Sequence, residues 1–375
     1  MTPIQMSHDA LAAPIHDEAA RQNFVREFRL HLATQVYPGN RDAYARRAAP
    51  AFVKANGRAP KDRHEVRRAM TKDPYYQLWS CMQRTSQEQM WDSVIDSVER
   101  RRAAPAKPRA GANLTLDPSV TVPRYLSARD IHLQPGGYHS ETCAGDDAAG
   151  AVYDRGLYLY SMGALGAANE DLGLTTLDYF RKTYPGRRPA RVLDLGCTIG
   201  NSTLPWARAF PSAEVHGIDV AAPCLRYAEA RATALGLKAH FTQANAETTK
   251  FPTGHFDVIV SHFFMHETSR VAIKRIFAEC HRLLAPGGVM IHLDIAPAGA
   301  AEPLQAFLEE WEVYNNNEEF MGEIRDMDLP GLAVEVGFDP ASARLTKHAS
   351  QSSGQAADGY IDFMQWPIYT AEKMP

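Results

Sequence analysis

Between residues 174 and 296 apolar strands and amphipathic helices alternate, and this pattern constrains the fold more than any other feature of the chain. The helix pattern LTTLDYFRKTY leads into strand RVLDL. Helix TLPWARAF, strand AEVHGIDV, helix CLRYAEARATAL, strands KAHFTQAN and FDVIVSH, helix VAIKRIFAECHRLL and strand GVMIHLDI follow in order. Near-continuous apolar strands separated by helices require a mostly parallel sheet covered on both faces, an α/β architecture. LAPGG at 284–288 supplies the Pro and Gly that end a helix. Beyond residue 302, EPLQAFLEEWEVYNNNEEFMGEIRDM reads as a helical insert and GLAVEVGF as a short helix. Strand ARLTKHA, a polar SSGQAADG turn and strand YIDFMQW read as a hairpin closing the sheet.

Residues 18–104 carry apolar residues at helical spacing, as in ARQNFVREFRLHLATQVY and YYQLWSCMQRTSQEQMWDSVIDSVERR, and residues 103–123 have the Pro-, Ala- and Gly-rich composition of a linker. The expected division is a helical N-terminal domain (1–110) serving as a lid or a dimer surface, a linker and cap segment (111–170), and an α/β domain (171–375). Residues 1–110 carry 19 Lys/Arg against 12 Asp/Glu and the remainder 21 against 32, so a basic extension sits on an acidic body. The basic residues are scattered along helical patterns and form no nucleic-acid motif, so docking or solubility is the expected use of this charge. Apolar runs are too short to span a membrane, and the N-terminus lacks the layout of a signal peptide. The five cysteines are widely spaced with no CxxC pair. A reducing cytoplasm is therefore the expected compartment, without membrane partner, disulfide framework or zinc ribbon.

Open parallel sheets bind ligands at the carboxyl ends of their strands. VLDLGCTIGNST (192–203) stands at such an end, with Asp194 at the strand tip and Thr198 where a dinucleotide loop would place glycine. A pyrophosphate needs close backbone approach there, and a neighbouring carboxylate opposes it. A phosphate-free cationic cofactor, S-adenosylmethionine, suits both features, because its ammonium is attracted to Asp194. The next strand ends at Asp219, whose carboxylate can accept both hydroxyls of a ribose. In FTQANAE, Asn245 can accept from an adenine amino group and the Ala246 N–H can donate to its ring.

On VLDLGCTIG, GIDV, QANAE, FDVIVSHFFMHE and LLAPGGVMIHLD, residues 174–296 resemble a class I S-adenosylmethionine-dependent methyltransferase, nearest to the ubiquinone and menaquinone C-methyltransferases and related small-molecule enzymes. The resemblance implies a Rossmann-like, mostly parallel seven-stranded sheet with an antiparallel last strand. It implies that Asp194, Gly196, Cys197, Thr198 and Gly200 shape the methionine pocket, that Asp219 and Val220 hold the ribose, and that Asn245, Ala246 and Glu247 hold adenine. Two positions depart from the family: Gly-x-Gly-x-Gly is here Gly-Cys-Thr-Ile-Gly, and the usual acid at the adenine position is Asn245.

Strand FDVIVSH brings Ser261 and His262 to the mouth of the cleft. His262 and His266 would share one face of a helix starting there, with Glu267 beside them, and histidine suits a base near neutral pH. The H-x-x-x-H spacing also permits metal ligation, but the HExxH order is absent and no metal is expected. Tyr153 and Tyr160 are expected to cap the cofactor. Tyr138 and His139 in PGGYHSE are expected to belong to the same cap, and Tyr314, Asn315 and Asn317 in the insert, with His139, to contact the substrate. The expected activity is methyl transfer to oxygen, nitrogen or carbon of a small acceptor, with secondary metabolites as the expected class. A nucleic-acid methyltransferase is the first rival, opposed by the missing Asn-Pro-Pro-Tyr-like motif after the fourth strand. A non-catalytic cofactor-binding module is the second.

Overall fold

The computed structural model describes residues 4–103, 113–297, 299, 301–352 and 364–375. Its strands are β1 (Leu114–Thr115), β2 (Arg191–Leu195), β3 (Glu214–Asp219), β4 (His240–Gln243), β5 (Phe256–His262), β6 (Leu284–Leu293), β7 (Arg344–Ala349) and β8 (Gln365–Glu372). They form one sheet in the order β1-β4-β3-β2-β5-β6-β8-β7. Neighbours from β1 to β6 pair in parallel, and β8 runs antiparallel to both β6 and β7. This is the Rossmann-like sheet with an antiparallel last strand. Successive strand residues face opposite sides, so Val192 and Val258 join one core cluster with Phe180 and Trp206, while Leu193 and Ile259 join another with Ile276 and Phe277.

Three details differ from the sequence reading. The sheet gains an eighth strand, because two residues of the expected linker, Leu114 and Thr115, pair with Phe241 and Thr242. Residues 104–112 of that linker lie outside the described residues, as does the SSGQAADG turn from residue 353 onward. The last strand runs from Gln365 to Glu372, not over YIDFMQW, of which residues 360–363 lie outside the described residues. Pro367 normally argues against strand continuation. Here it pairs only with Lys347, and the ladder to β6 begins one residue later at Ile368, so β6 does not need the N–H that proline lacks. LAPGG does not cap a helix either: the helix Arg270–Leu283 stops at its start, and Leu284 already belongs to β6.

The N-terminal helices are packed onto the α/β body. Val25, Met90, Trp91 and Val94 share one core cluster with Tyr158, Leu159, Ile199 and Tyr227. The helices approach closely: a Cβ on Gly156 would meet the Trp91 ring at 2.1 Å, and one on Gly150 would meet Tyr227 at 2.4 Å. Gln5 and Tyr227 donate to the buried Asp154, as does Asn169. The insert after β6 is gripped from the other side, with Trp311 5.9 Å from Trp79 and Phe307 5.0 Å from Tyr76, ring centre to ring centre. N-terminal helices, insert and cap thus roof the carboxyl ends of the strands.

Candidate active site

Two adjoining cavities open at those strand ends. The larger has a volume of about 360 Å³. Its floor is Asp194, Gly196, Cys197 and Thr198; its roof includes Arg29, Gln83 and Trp91 from the N-terminal helices, His132 and Tyr160 from the cap, and Glu312 and Glu318 from the insert. The smaller is lined by Asp219, Val220, Asn245, Ala246 and Phe264. Gly196, Thr198, Tyr138, Tyr153 and Glu267 line both, so the two spaces share a wall.

The β2 loop makes that wall by backbone conformation. Gly196, Thr198 and Gly200 all have positive φ, at 66°, 47° and 72°. The middle position therefore wants glycine for conformational reasons whatever ligand it faces, and Thr198 occupies the left-handed region at a cost of about 1–2 kcal/mol. This corrects the reading that only a phosphate would demand glycine there. The turn is held by the Thr198 N–H, which donates to Asp219 Oδ2 at 2.9 Å. The Ala221 N–H donates to Asp219 Oδ1, also at 2.9 Å. Burial, strengthened by the Glu267 charge, pushes the Asp219 carboxyl up to about 6 despite those two donors.

Asp194 is buried and already partnered: Thr203 Oγ1 donates to Oδ2 at 2.6 Å, and His262 Nδ1 lies 3.2 Å from Oδ1. The other ring nitrogen of His262 lies 2.8 Å from Thr176 Oγ1. Both ring nitrogens of His262 are thus engaged, tying it to Asp194 and Thr176. His262 and His266 do not share a helical face. His262 ends β5, His266 lies in the turn Met265–Glu267, and the helix begins only at Arg270.

His266 faces the larger cavity with Nδ1 2.7 Å from Asp294 Oδ1. Burial alone would lower its pKa; Asp294, with Glu318 and Glu267, overrides this and pushes it up to about 9. Glu267 accepts from the Tyr138 hydroxyl at 3.0 Å and lies 3.3 Å from His132 Nε2. Glu312 is pushed up to about 7 by burial and by the neighbouring Glu318 charge.

Several expected contacts fall elsewhere. Ser261 does not reach the cleft; its hydroxyl is buried against His292 Nδ1 at 2.8 Å. Glu247 accepts from Tyr125 and from Arg275 outside the smaller cavity. Asn245 Oδ1 already accepts from the Glu247 N–H at 2.9 Å, leaving one lone pair for a ligand. Gly200 underlies the loop, against the Phe241 ring, and lines neither cavity. In the insert, Tyr314 lies on the outer face beneath the Arg67 guanidinium and Asn315 lines the same outer groove. The Asn317 side chain donates to the Asp130 carbonyl. Glu312 and Glu318, from the same segment, are the residues that reach the cavity. His139 is likewise set aside, and its neighbour Tyr138 lines both cavities. His132, Glu312 and Glu318 had no motif to mark them, and Asp294 ends the motif LLAPGGVMIHLD without being singled out there.

Residues 192–288 match a protein-family profile described as a methyltransferase domain. That stretch is a methyltransferase domain. It contains β2 to β5, the opening of β6 and the strand-end loops of the smaller cavity, whose lining Pro123, Tyr125, Leu126, Tyr138 and Tyr153 complete from outside that stretch. A demethylmenaquinone methyltransferase of Thermus thermophilus is 34% identical over 128 residues, covering 34% of this chain and 56% of the relative. A malonyl-(acyl-carrier protein) O-methyltransferase of Enterobacter lignolyticus is 28% identical over 174 residues, covering 46% and 66%. The chain spans about half the length of the first curated relatives it matches. Among solved structures, phosphoethanolamine N-methyltransferase 2 of Haemonchus contortus, in complex with S-adenosyl-L-methionine, is 18% identical with a TM-score of 0.44, covering 59% of this chain and 57% of that one. The methyltransferase domain thus accounts for the floor of the site, and the residues outside it supply the roof. No helix among the described residues is long and apolar enough to cross a membrane.

Proposed function

We propose that the chain transfers the methyl group of S-adenosylmethionine to a small molecule enclosed in the larger cavity. The observation that carries this reading is the shared wall at Gly196 and Thr198, which separates a carboxylate-tipped pocket from a roofed, largely apolar chamber with a few buried titratable groups. The residues fit the cofactor. Asp219 has one backbone donor on each oxygen, and a carboxylate accepts about four hydrogen bonds, so two positions serve a ribose diol. Ala246 and Asn245 would hold adenine. Asp194, fixed by Thr203 and His262, places a negative charge near the methionine end. S-adenosylmethionine, when bound, supplies an electrophilic methyl carbon on a sulfonium.

The remaining work belongs to the chain. The roof from Arg29, Trp91 and Tyr160 excludes water and holds the acceptor against the shared wall, where alignment governs the rate. Glu312, whose Oε2 is buried without a hydrogen-bond partner, takes the acceptor's proton. Because the N-terminal helices line the cavity, they act as a lid in this reading, in preference to a dimer surface. An enclosed chamber of this size suits a small acceptor better than a nucleic-acid strand.

Calorimetry with S-adenosylmethionine and a screen for transfer of labelled methyl to small metabolites test the proposal. Tight binding lost in Asp219→Ala, with sustained label transfer, is the expected result. Binding without transfer to any metabolite fraction would instead indicate a silent cofactor-binding module, and absence of binding would end the reading.

A further inference from the structure

The roof of the larger cavity contains a group of side chains that methyl transfer by itself does not require. His132, His266 and Glu318 come from three separate segments, yet each offers one ligand atom within 4.8 Å of the others. His266 is oriented by Asp294, whose carboxylate sits 2.7 Å from Nδ1 and leaves Nε2 facing Glu318. Nε2 and Glu318 Oε2 are 3.6 Å apart, too far for a hydrogen bond, and that buried oxygen has no hydrogen-bond partner. Glu318 is only 2% exposed. A buried carboxylate oxygen without a hydrogen-bond partner is costly unless something sits beside it.

His132 is held in place against its backbone preference. It and Leu133 both have positive φ, 54° and 58°. The position persists because the His132 N–H donates to the Asn316 carbonyl, and the His132 carbonyl accepts from Gln87 Nε2 and Trp91 Nε1. The N-terminal helix and the insert therefore jointly aim this ring at Glu318, with Nδ1 3.0 Å from Oε1.

The geometry points to a binding site for a divalent first-row transition cation, held by His132, His266 and Glu318. Two imidazoles and one carboxylate are a donor set for Zn²⁺ and neighbouring ions, and a carboxylate behind a ligating histidine is the usual orienting arrangement. All three residues line the larger cavity, so further coordination positions would be open to its contents. If the methyl-transfer reading holds, on which this last step rests, a thiol or hydroxyl acceptor would give its proton to Glu312, bind the cation there as its anion and become a better nucleophile than the neutral form.

The test uses the full chain with Cys81 and Cys143, both exposed, replaced by serine so that surface thiols do not bind the probe. Zinc chloride alone is titrated by calorimetry, and bound metal is counted after dialysis. One zinc per chain is expected, with affinity lost at least 100-fold in Glu318→Gln and reduced about 10–100-fold in Asp294→Asn. Unchanged S-adenosylmethionine binding shows that each variant is folded; if Glu318→Gln fails that control, His132→Asn replaces it with the same expected loss. No stoichiometric zinc, or equal zinc affinity in the folded variants, overturns the proposal. Zinc bound without methyl transfer to any acceptor would leave the cation site standing and remove the transfer reading.

Discussion

Gly196→Ala tests whether the wall between the cavities is a packed element or merely a loop. Two costs add at this position. The residue has φ 66°, where an L side chain costs about 1–2 kcal/mol. Alanine returns about 0.4–1 kcal/mol by restricting the unfolded chain. The added Cβ would also lie 2.3 Å from Phe264 Cδ2 and 2.8 Å from its Cγ, so the whole ring must move. Displacing a packed group typically costs about 1–3 kcal/mol. The sum is about 1–4.6 kcal/mol. Gly186 supplies the control, because its φ is 80° but nothing lies within 4 Å of an added Cβ. Gly186→Ala pays only the backbone term, about 1 kcal/mol. Urea unfolding of both variants gives the two stabilities, and calorimetry gives S-adenosylmethionine affinity. Gly196→Ala should be the less stable by at least about 1 kcal/mol, and it alone should lose cofactor binding, since the displaced Phe264 lines the smaller cavity. Equal stabilities for the two variants would refute the steric argument.

Thr198→Gly should stabilise the protein by up to about 1 kcal/mol, the relieved left-handed strain less the greater entropy of glycine, measured by urea unfolding. Thr203→Val removes the 2.6 Å hydrogen bond to the buried Asp194 carboxylate and should cost about 1.5–3 kcal/mol in the same assay, with weakened cofactor binding. Asp219 gives a pH signature. Its carboxyl is pushed up to about 6, so it is neutral below that pH and charged above it. S-adenosylmethionine affinity should therefore fall as pH drops through about 6, and Asp219→Asn should show a weaker, flat profile by calorimetry. The same raised value means that the cofactor-free fold binds a proton which the unfolded chain does not, between the ordinary carboxylate range and about 6. This contribution to stability is present at low pH and is lost as pH rises through about 6.

What was legible in the sequence depended on how far apart the interacting residues lie. Strands β2 to β6 were visible because buried parallel strands carry continuous apolar runs, and Gly196 and Asp219 because strand-tip loops are short. Two-residue β1 has too few residues to show a period, and Pro367 hides the strand that contains it. His262 looked like a base because its two partners, Thr176 and Asp194, are 86 and 68 positions away. Of the titratable groups in the roof only His266 and Glu267 stood out, and their partners were illegible for the same reason. His132, His266, Asp294 and Glu318 sit in four segments with no common motif, brought together only when the N-terminal helices fix the cap and grip the insert. In this chain the recognisable domain builds the cofactor floor, whereas acceptor recognition is assigned to segments outside it. Replacing the insert or the N-terminal helices should therefore change which acceptor is methylated while leaving the cofactor pocket at Asp219 and Gly196 intact.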